Sequence, residues 1–230
     1  MSICSRRALL GWAAGGLVLT AGCDMASLAY FVLPEGRVEP KLKHLASDDK
    51  EKAPKVVILT WGGLETRAEF IGADRQLSDL LGQHLKKLAE ESREAVNVVP
   101  VRKVEEFKNA NPSWKSMDLV EVGRRFQADY VIYLEMNSMS LYEPGMGDML
   151  MRGRVTLNVQ LADVRKPDDA PASESYSCVY PGDAPGAVPV DNQAQKMQFR
   201  QAFLNKAARD LSHYFARYPR QERYKMDDFR

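Results

Sequence analysis

The chain has 230 residues, which is enough for one domain of about 150–200 residues with appendages and leaves little room for two. Its 32 basic and 31 acidic side chains give a net charge of +1. A chain this close to neutral has no global field that would select nucleic acid or strongly acidic substrates, so we expect no nucleic-acid partner.

Residues 1–22 have the order of a targeting segment. Two arginines are followed by an apolar run from Ala8 to Leu19 and by three small residues before Cys23. This order resembles a bacterial lipoprotein signal, which implies a lipidated Cys23 as the mature amino terminus. The localisation it implies is the cell envelope, with a lipid-anchored protein facing the periplasm. An uncleaved anchor is the alternative, but the run is shorter than the ~20 residues that a membrane span needs.

The sequence predicts four regions. Residues 1–22 form the signal, 23–52 a lipid-anchored linker, 53–219 a single domain and 220–230 a loose tail. The stretch from Lys41 to Lys55 is rich in charged side chains, and we therefore expect it to be solvated.

The domain opens with the apolar run VVILTW at 56–61, typical of a strand buried on both faces. Between Asp74 and Glu91, leucines recur at helical spacing, with His84 on the same stripe. The intervening loop 62–74 contains a Gly-Gly pair, Arg67 and several carboxylates. It is the candidate site if the domain binds a small ligand or is an enzyme.

Two shorter elements follow. The run VNVVPV at 96–101 predicts a strand, and MDLVEVGRRF at 117–126 predicts a helix capped by Ser116.

The stretch from Ala128 to Arg165 predicts a long antiparallel hairpin with a Gly/Pro-rich reversal. In its second half, Val155, Leu157, Val159 and Leu161 alternate with polar residues, so one face should be buried and the other solvated.

A third antiparallel strand, SESYSCVY, ends at Tyr180 and should bury Cys178 as a small apolar side chain. Asn192 and Gln195 then resemble a capping box for a last helix. We expect this helix to end at Pro219 and to pack through an apolar stripe formed by Phe199, Phe203, Ala207, Leu211, Phe215 and Tyr218.

These elements predict an α/β (α+β) fold: a mixed sheet of about five strands with a long antiparallel hairpin, flanked by three or four helices. The order resembles the amino-terminal domain of the Tol translocation protein, the activator lipoproteins of penicillin-binding proteins and the curli export lipoprotein. The strings LETRAEFIGADRQL and RRFQADYVIYLEMNSMSLYEPG resemble uncharacterised lipoproteins of planctomycete-type bacteria. The resemblance implies a non-catalytic adaptor or assembly factor with an envelope protein as its partner.

Methionines crowd the hairpin at positions 136, 139, 146, 149 and 151. Met136 and Met139 differ by three along a strand, so they should point to opposite faces. Methionine suits adaptable apolar contact surfaces. The predicted contact surface consists of Tyr142, Met146, Met149, Leu150 and Met151.

The alternative for the same methionines is a Cu(I) site, because thioethers are soft ligands and M-x-x-M-x-M at 146–151 resembles the methionine clusters of exported copper proteins.

The chain contains no H-E-x-x-H, G-x-S-x-G, Walker, G-x-G-x-x-G or C-x-x-C motif. We therefore predict no catalytic residues and no cofactor. Three hypotheses follow from the sequence: a protein-binding adaptor, a ligand-binding or enzymatic domain using loop 62–74, and a copper-binding protein.

Overall fold

The computed structural model describes residues 36–62, 70–146, 150–182 and 186–220. The signal segment, Cys23, residues 63–69, Met149 and the tail from 221 onward lie outside these ranges. Within them, no helix combines the length and hydropathy that a membrane span requires.

Helices and strands are interspersed along the described part of the chain. They are β1 (Arg37–Val38), β2 (Lys55–Gly62), α1 (Ala73–Glu91), β3 (Asn97–Val98), α2 (Val101–Ala110), α3 (Leu119–Phe126), β4 (Tyr130–Tyr142), β5 (Leu150–Asp163), β6 (Ala172–Tyr180), β7 (Val188–Pro189), α4 (Gln193–Ser212) and β8 (Tyr218–Pro219). Single-turn 3₁₀ helices lie at Lys50–Lys52 and Trp114–Ser116. The predicted α+β class is confirmed.

The main sheet has the order β3-β2-β4-β5-β6, and the short β7 also pairs with β5. Strands β3, β2 and β4 are parallel, whereas β4, β5 and β6 are antiparallel. The amino ends of the parallel strands therefore lie at one end of the domain. The far end of the β4–β5 hairpin lies at the other.

Helices α1 and α4 cover one face of the sheet. Leu81, Leu85, Phe203 and Leu211 pack there with the inward side chains of all five strands. The opposite face is covered by α2, α3 and Trp114 over β2 and β4. Because β2 is sandwiched between both layers, Val56 to Thr60 are all buried, as its unbroken apolar run predicted.

The predicted hairpin is confirmed, including its alternation. In β5, Val155, Leu157, Val159 and Leu161 are buried, while the residues between them are partly exposed. This one-sided burial arises because, on the second face, α3 reaches only the end of β5 at Ala162, and no described helix covers the rest of β5 or β6.

The prediction for Met136 and Met139 is wrong. Met136 pairs with Leu157 and Met139 pairs with Val155, so one residue of β4 is extra between them. This bulge places Met139 on the same face of the sheet as Met136. Met136 is buried in the core under α1 and α4, and the half-buried Met139 packs against that core.

The segment before residue 53 is not a solvated linker in its described part. Strand β1 pairs with β8, and the amides of Leu42 and Leu45 donate to the carbonyls of Tyr214 and Phe215. The Leu45 side chain is 1% exposed. We call residues 37–47 the strap.

Charged side chains also hold the strap. Lys43 pairs with Asp163 at 2.8 Å. The buried carboxylate of Glu94 lies 2.9 Å from His44 and 3.1 Å from Arg217. The folded unit therefore begins at Arg37 and not near Lys52.

Three boundaries differ from their predictions. Only Asn97–Val98 is strand, because Pro100 ends the extended run and forms the N-cap of the unpredicted helix α2. Asp118, and not Ser116, caps α3 by accepting from the amides of Val120 and Glu121. Helix α4 ends at Ser212, although Phe215 and Tyr218 beyond it are still buried.

Candidate contact surface at the hairpin end

The β4–β5 hairpin has one unpaired edge. Gly62, the last residue of β2, pairs with Met136, and within the described residues β4 continues to Tyr142 with no strand beside it on that side. On the other side, β5 stays paired with β6 as far as Gly153 and with β7 at Leu150 and Met151. Glu143 accepts from Arg154 at 2.9 Å and so ties the two arms together near the reversal. The described arms of the hairpin thus belong to the sheet and are held together by an ion pair.

The first turns of α4 contact both the hairpin and the start of α1. The Lys196 ammonium lies 5.7 Å from the ring centroid of Tyr142. One helical turn later, Arg200 donates to the carbonyl oxygen of Ile71 at 3.1 Å, just before α1 begins. Gln76 also donates to Gln201. These contacts place Ile71, the start of α4 and the hairpin at the same end of the domain.

The large apolar side chains that are exposed within the described ranges are Ile71, Met146 and Met197, at 77%, 55% and 66% exposure. All three belong to this end. We define the hairpin end as Ile71, Tyr142, Met146, Leu150 and Met197.

The five predicted contact residues have different positions. Met146 is exposed, and Tyr142 and Leu150 are half-buried. Met149 lies outside the described residues. Met151 is 0% exposed and belongs to the core, so it is not available to a partner. Sequence reasoning missed Met197 and Ile71, because each is a single apolar residue outside the methionine cluster.

The burial of Met151 also argues against the copper hypothesis. Met151, the last residue of the M-x-x-M-x-M string, is completely buried, so the string does not present all its thioethers together at the surface. Met136 is also buried, and Met139 is half-buried against the core. In the described part of the chain, no three His, Cys, Asp or Glu side chains are grouped as metal ligands would be.

The loop proposed for a small ligand is described only at its edges. Gly62 ends β2, Phe70 is buried, and Gly72 adopts a φ of 73° as the N-cap of α1. Residues 63–69, including Arg67, lie outside the described residues. The ligand-binding hypothesis therefore stays a prediction.

Cys178 lies in β6 opposite Val155 and is 6% exposed. Burial raises the pKa of its thiol to about 11, although the Tyr176 hydroxyl opposes the shift. Burial also raises the pKa of Tyr176. A thiol protonated at neutral pH is a poor nucleophile, so the prediction that Cys178 is a small buried apolar residue is confirmed.

His84 lies at the α1–α4 interface. Its Nε2 is 2.9 Å from the amide oxygen of Asn205, and the side chain is half-buried. The contact links two helices, in agreement with a packing role.

No family model and no curated protein matches this sequence. Several solved structures are similar in part. Lipoprotein GNA1162 from Neisseria meningitidis has 15% identity over 67% of this chain and 98% of its own, with a TM-score of 0.41. The PelC dodecamer from Paraburkholderia phytofirmans has 15% identity over 80% and 99%, with a TM-score of 0.40. Protein XCC0632 from Xanthomonas campestris has 10% identity over 76% and 91%, with a TM-score of 0.40.

Similarity of this degree carries no activity, partner or assembly state over to this chain. The specific resemblance to the Tol, penicillin-binding-protein activator and curli proteins is not confirmed and stays a prediction.

Proposed function

We propose that this protein is an envelope lipoprotein, anchored by lipid on Cys23, whose domain is a non-catalytic adaptor or assembly factor that binds another envelope protein through the hairpin end. The observation that carries the proposal is the concentration of exposed apolar side chains there. Exposed apolar groups that cluster at one place on a soluble domain are typical of a protein interaction site.

The shape and chemistry of the hairpin end favour a protein partner. Methionine side chains at positions 146 and 197 adapt to different apolar surfaces at low cost. Tyr142 adds an aromatic ring with a polar tip, a composition that is enriched in protein interfaces. The cation of Lys196 over that ring supplies a polar rim.

The anchor places the domain at a membrane surface. Acyl chains on Cys23 would contribute ~0.8 kcal/mol per buried methylene, so two or three chains make membrane attachment stable. The strap continues from this segment and packs on the domain from Arg37 onward. The adaptor would therefore be held close to the bilayer by a short connection.

Capture from native membranes tests the proposal. The lipidated wild type should retain a discrete partner under mild cross-linking, and Met146→Glu/Met197→Glu should lose it, because two carboxylates would have to be desolvated in the interface. The matched control is Ala170→Glu/Ala172→Glu, which adds the same charges to an exposed loop residue and to the exposed first residue of β6, at the other end of the hairpin. Equal capture by both double variants would contradict the proposed contact surface.

A further inference from the structure

A cleft of about 380 Å³ lies beside the edge strand β3, between α1, the start of α2 and the end of α3. Four cationic side chains line it: Lys55, Lys86, Lys103 and Arg125. None of the described residues that line this cleft is a carboxylate. In a chain with 32 basic and 31 acidic side chains, this is a pronounced local separation of charge.

Most of this charge has no compensating partner. Lys86 and Lys103 are exposed and make no side-chain hydrogen bond or ion pair within the described residues. The Lys55 ammonium donates to the carbonyl oxygen of Phe126 at 2.6 Å, which is a neutral acceptor. Only Arg125 meets a carboxylate, that of Glu121 at 2.7 Å.

The half-buried carboxylate of Asp129, on this side of the domain, is already engaged. Asp129 accepts from the backbone amide of Lys55 at 2.7 Å, at the start of β2. Several other helical cations form ion pairs one turn apart, as Arg102 does with Glu106 at 2.8 Å, whereas Lys86 forms none within the described residues, although Glu90 lies one turn later in α1. The cleft therefore has an excess of positive charge in a concave site.

The position of the cleft indicates where an anion would come from. It lies at the amino ends of the parallel strands, the end opposite the hairpin end. Arg37, the first residue of the folded unit, donates to Ser92 and to the carbonyl of Glu91 at the end of α1, on the same side. At ~3.5 Å per residue, segment 24–36 spans at most about 45 Å, so a lipid on Cys23 would hold this end within about that distance of the bilayer.

We propose that this cleft binds the phosphate group of an anionic membrane lipid. Lysine ammonium groups bind phosphate oxygens through charge-assisted hydrogen bonds, and each cation near an anionic membrane surface adds to the attraction. The assignment of the phosphate to a lipid rests on the proposed anchor. The recognition of phosphate rests on the cleft alone.

Vesicle flotation tests this assignment. The protein used is the chain from residue 23 with Cys23→Ser, which is exported by the cleavable signal peptide of a secreted protein. This form has no acyl chain, so binding reports on the cleft and not on the anchor. It should float with phosphatidylcholine vesicles that contain phosphatidylglycerol and not with phosphatidylcholine alone. Lys86→Gln/Lys103→Gln should lower the partition coefficient roughly 30-fold.

The matched control is Lys87→Gln/Lys166→Gln, which removes two exposed charges outside the cleft. It should lower partitioning by no more than about threefold. Equal losses in the two double variants, or no preference for phosphatidylglycerol, would overturn the proposal. Calorimetric titration with glycerol 3-phosphate separates the sources: binding of this solute without vesicle binding would overturn the membrane assignment.

Failure here is distinct from failure of the adaptor role. The adaptor variants change the hairpin end and are read by partner capture, whereas the cleft variants are read by lipid binding in the absence of any partner.

Discussion

Cys178 is the single residue whose titration should affect stability most clearly. Its pKa is about 11 in the folded chain against an ordinary value of 9.0, because burial disfavours the thiolate. Between these values the folded state holds more protons than the unfolded state, so the free energy of unfolding falls as the pH rises. The stabilisation of the neutral thiol is complete below pH 9 and is lost as the pH approaches 11.

Urea unfolding at pH 8 to 11 can measure this effect by comparing the wild type with Cys178→Ala. The wild type should lose up to roughly 2–3 kcal/mol more than the variant over this range. Tyrosines away from Cys178 titrate in both proteins and cancel in the difference. Tyr176 does not cancel completely, because, besides burial, Cys178 contributes to its raised pKa, so the difference reports the coupled pair. An equal loss in the two proteins would show that the thiol is not held neutral by burial.

The burial of single residues also explains why part of the contact surface was predicted incorrectly. Met146 and Met151 are five residues apart in a methionine-rich string, but one is exposed and the other is completely buried. Composition identifies the string and not the direction of each side chain. The direction of a side chain depends on its position in the alternation of β5, in which Met151, Val155 and Leu157 all face the core.

Among the elements, those with a strong period were predicted from the sequence. Strand β2, helix α1 and the β4–β5 hairpin all appear within one or two residues of the predicted positions. The Asn192 cap is also confirmed, since its side chain accepts from the amide of Gln195. Local pattern and tertiary burial agree in these elements, which makes them predictable.

The elements that were missed depend on tertiary contacts or on one competing residue. Helix α2 buries only Val104 completely, so its apolar period is weak. Pro100 lies within the apolar run 96–101, which is typical of a strand, so the start of the helix was hidden. The bulge in β4 could not be predicted, because the sequence Ser138-Met139-Ser140 alternates polar and apolar residues as a regular strand does. The strap has charged composition, yet Leu45 and a few backbone hydrogen bonds hold it on the core.

Leu45→Ala tests whether the strap belongs to the folded unit. Removing a completely buried leucine side chain should cost about 2–5 kcal/mol in the free energy of unfolding. A solvated linker would lose almost nothing. Urea unfolding measures the difference, and Lys50→Ala, in the exposed turn that follows the strap, should change stability by less than about 0.5 kcal/mol. A near-zero effect of Leu45→Ala would mean that the strap is not packed in solution.

For the whole molecule, the proposals assign different roles to the two ends of the domain. The strap enters at the end that carries the basic cleft, and the exposed apolar side chains lie at the hairpin end. A lipid on Cys23 would hold the first end near the membrane and leave the second accessible to another envelope protein.

Membrane fractionation tests the anchor. The chain from residue 23 with Cys23→Ser, exported on a cleavable signal of a secreted protein, should appear in the soluble periplasmic fraction after a carbonate wash. The wild type should remain with the membranes, because acyl chains bury many methylenes in the bilayer. Persistence of the unacylated chain in the washed membranes would exclude lipid as the essential attachment.

Site-specific photo-cross-linking in living cells tests the adaptor role most directly. A photoreactive amino acid at position 146 or 197, at the hairpin end, should give the same discrete heterologous adduct from either site. The same group at position 170, in the exposed loop between β5 and β6, should not give it. Adducts of equal yield from all three positions, or none from 146 and 197 in fully incorporated and folded protein, would contradict a protein partner at the hairpin end.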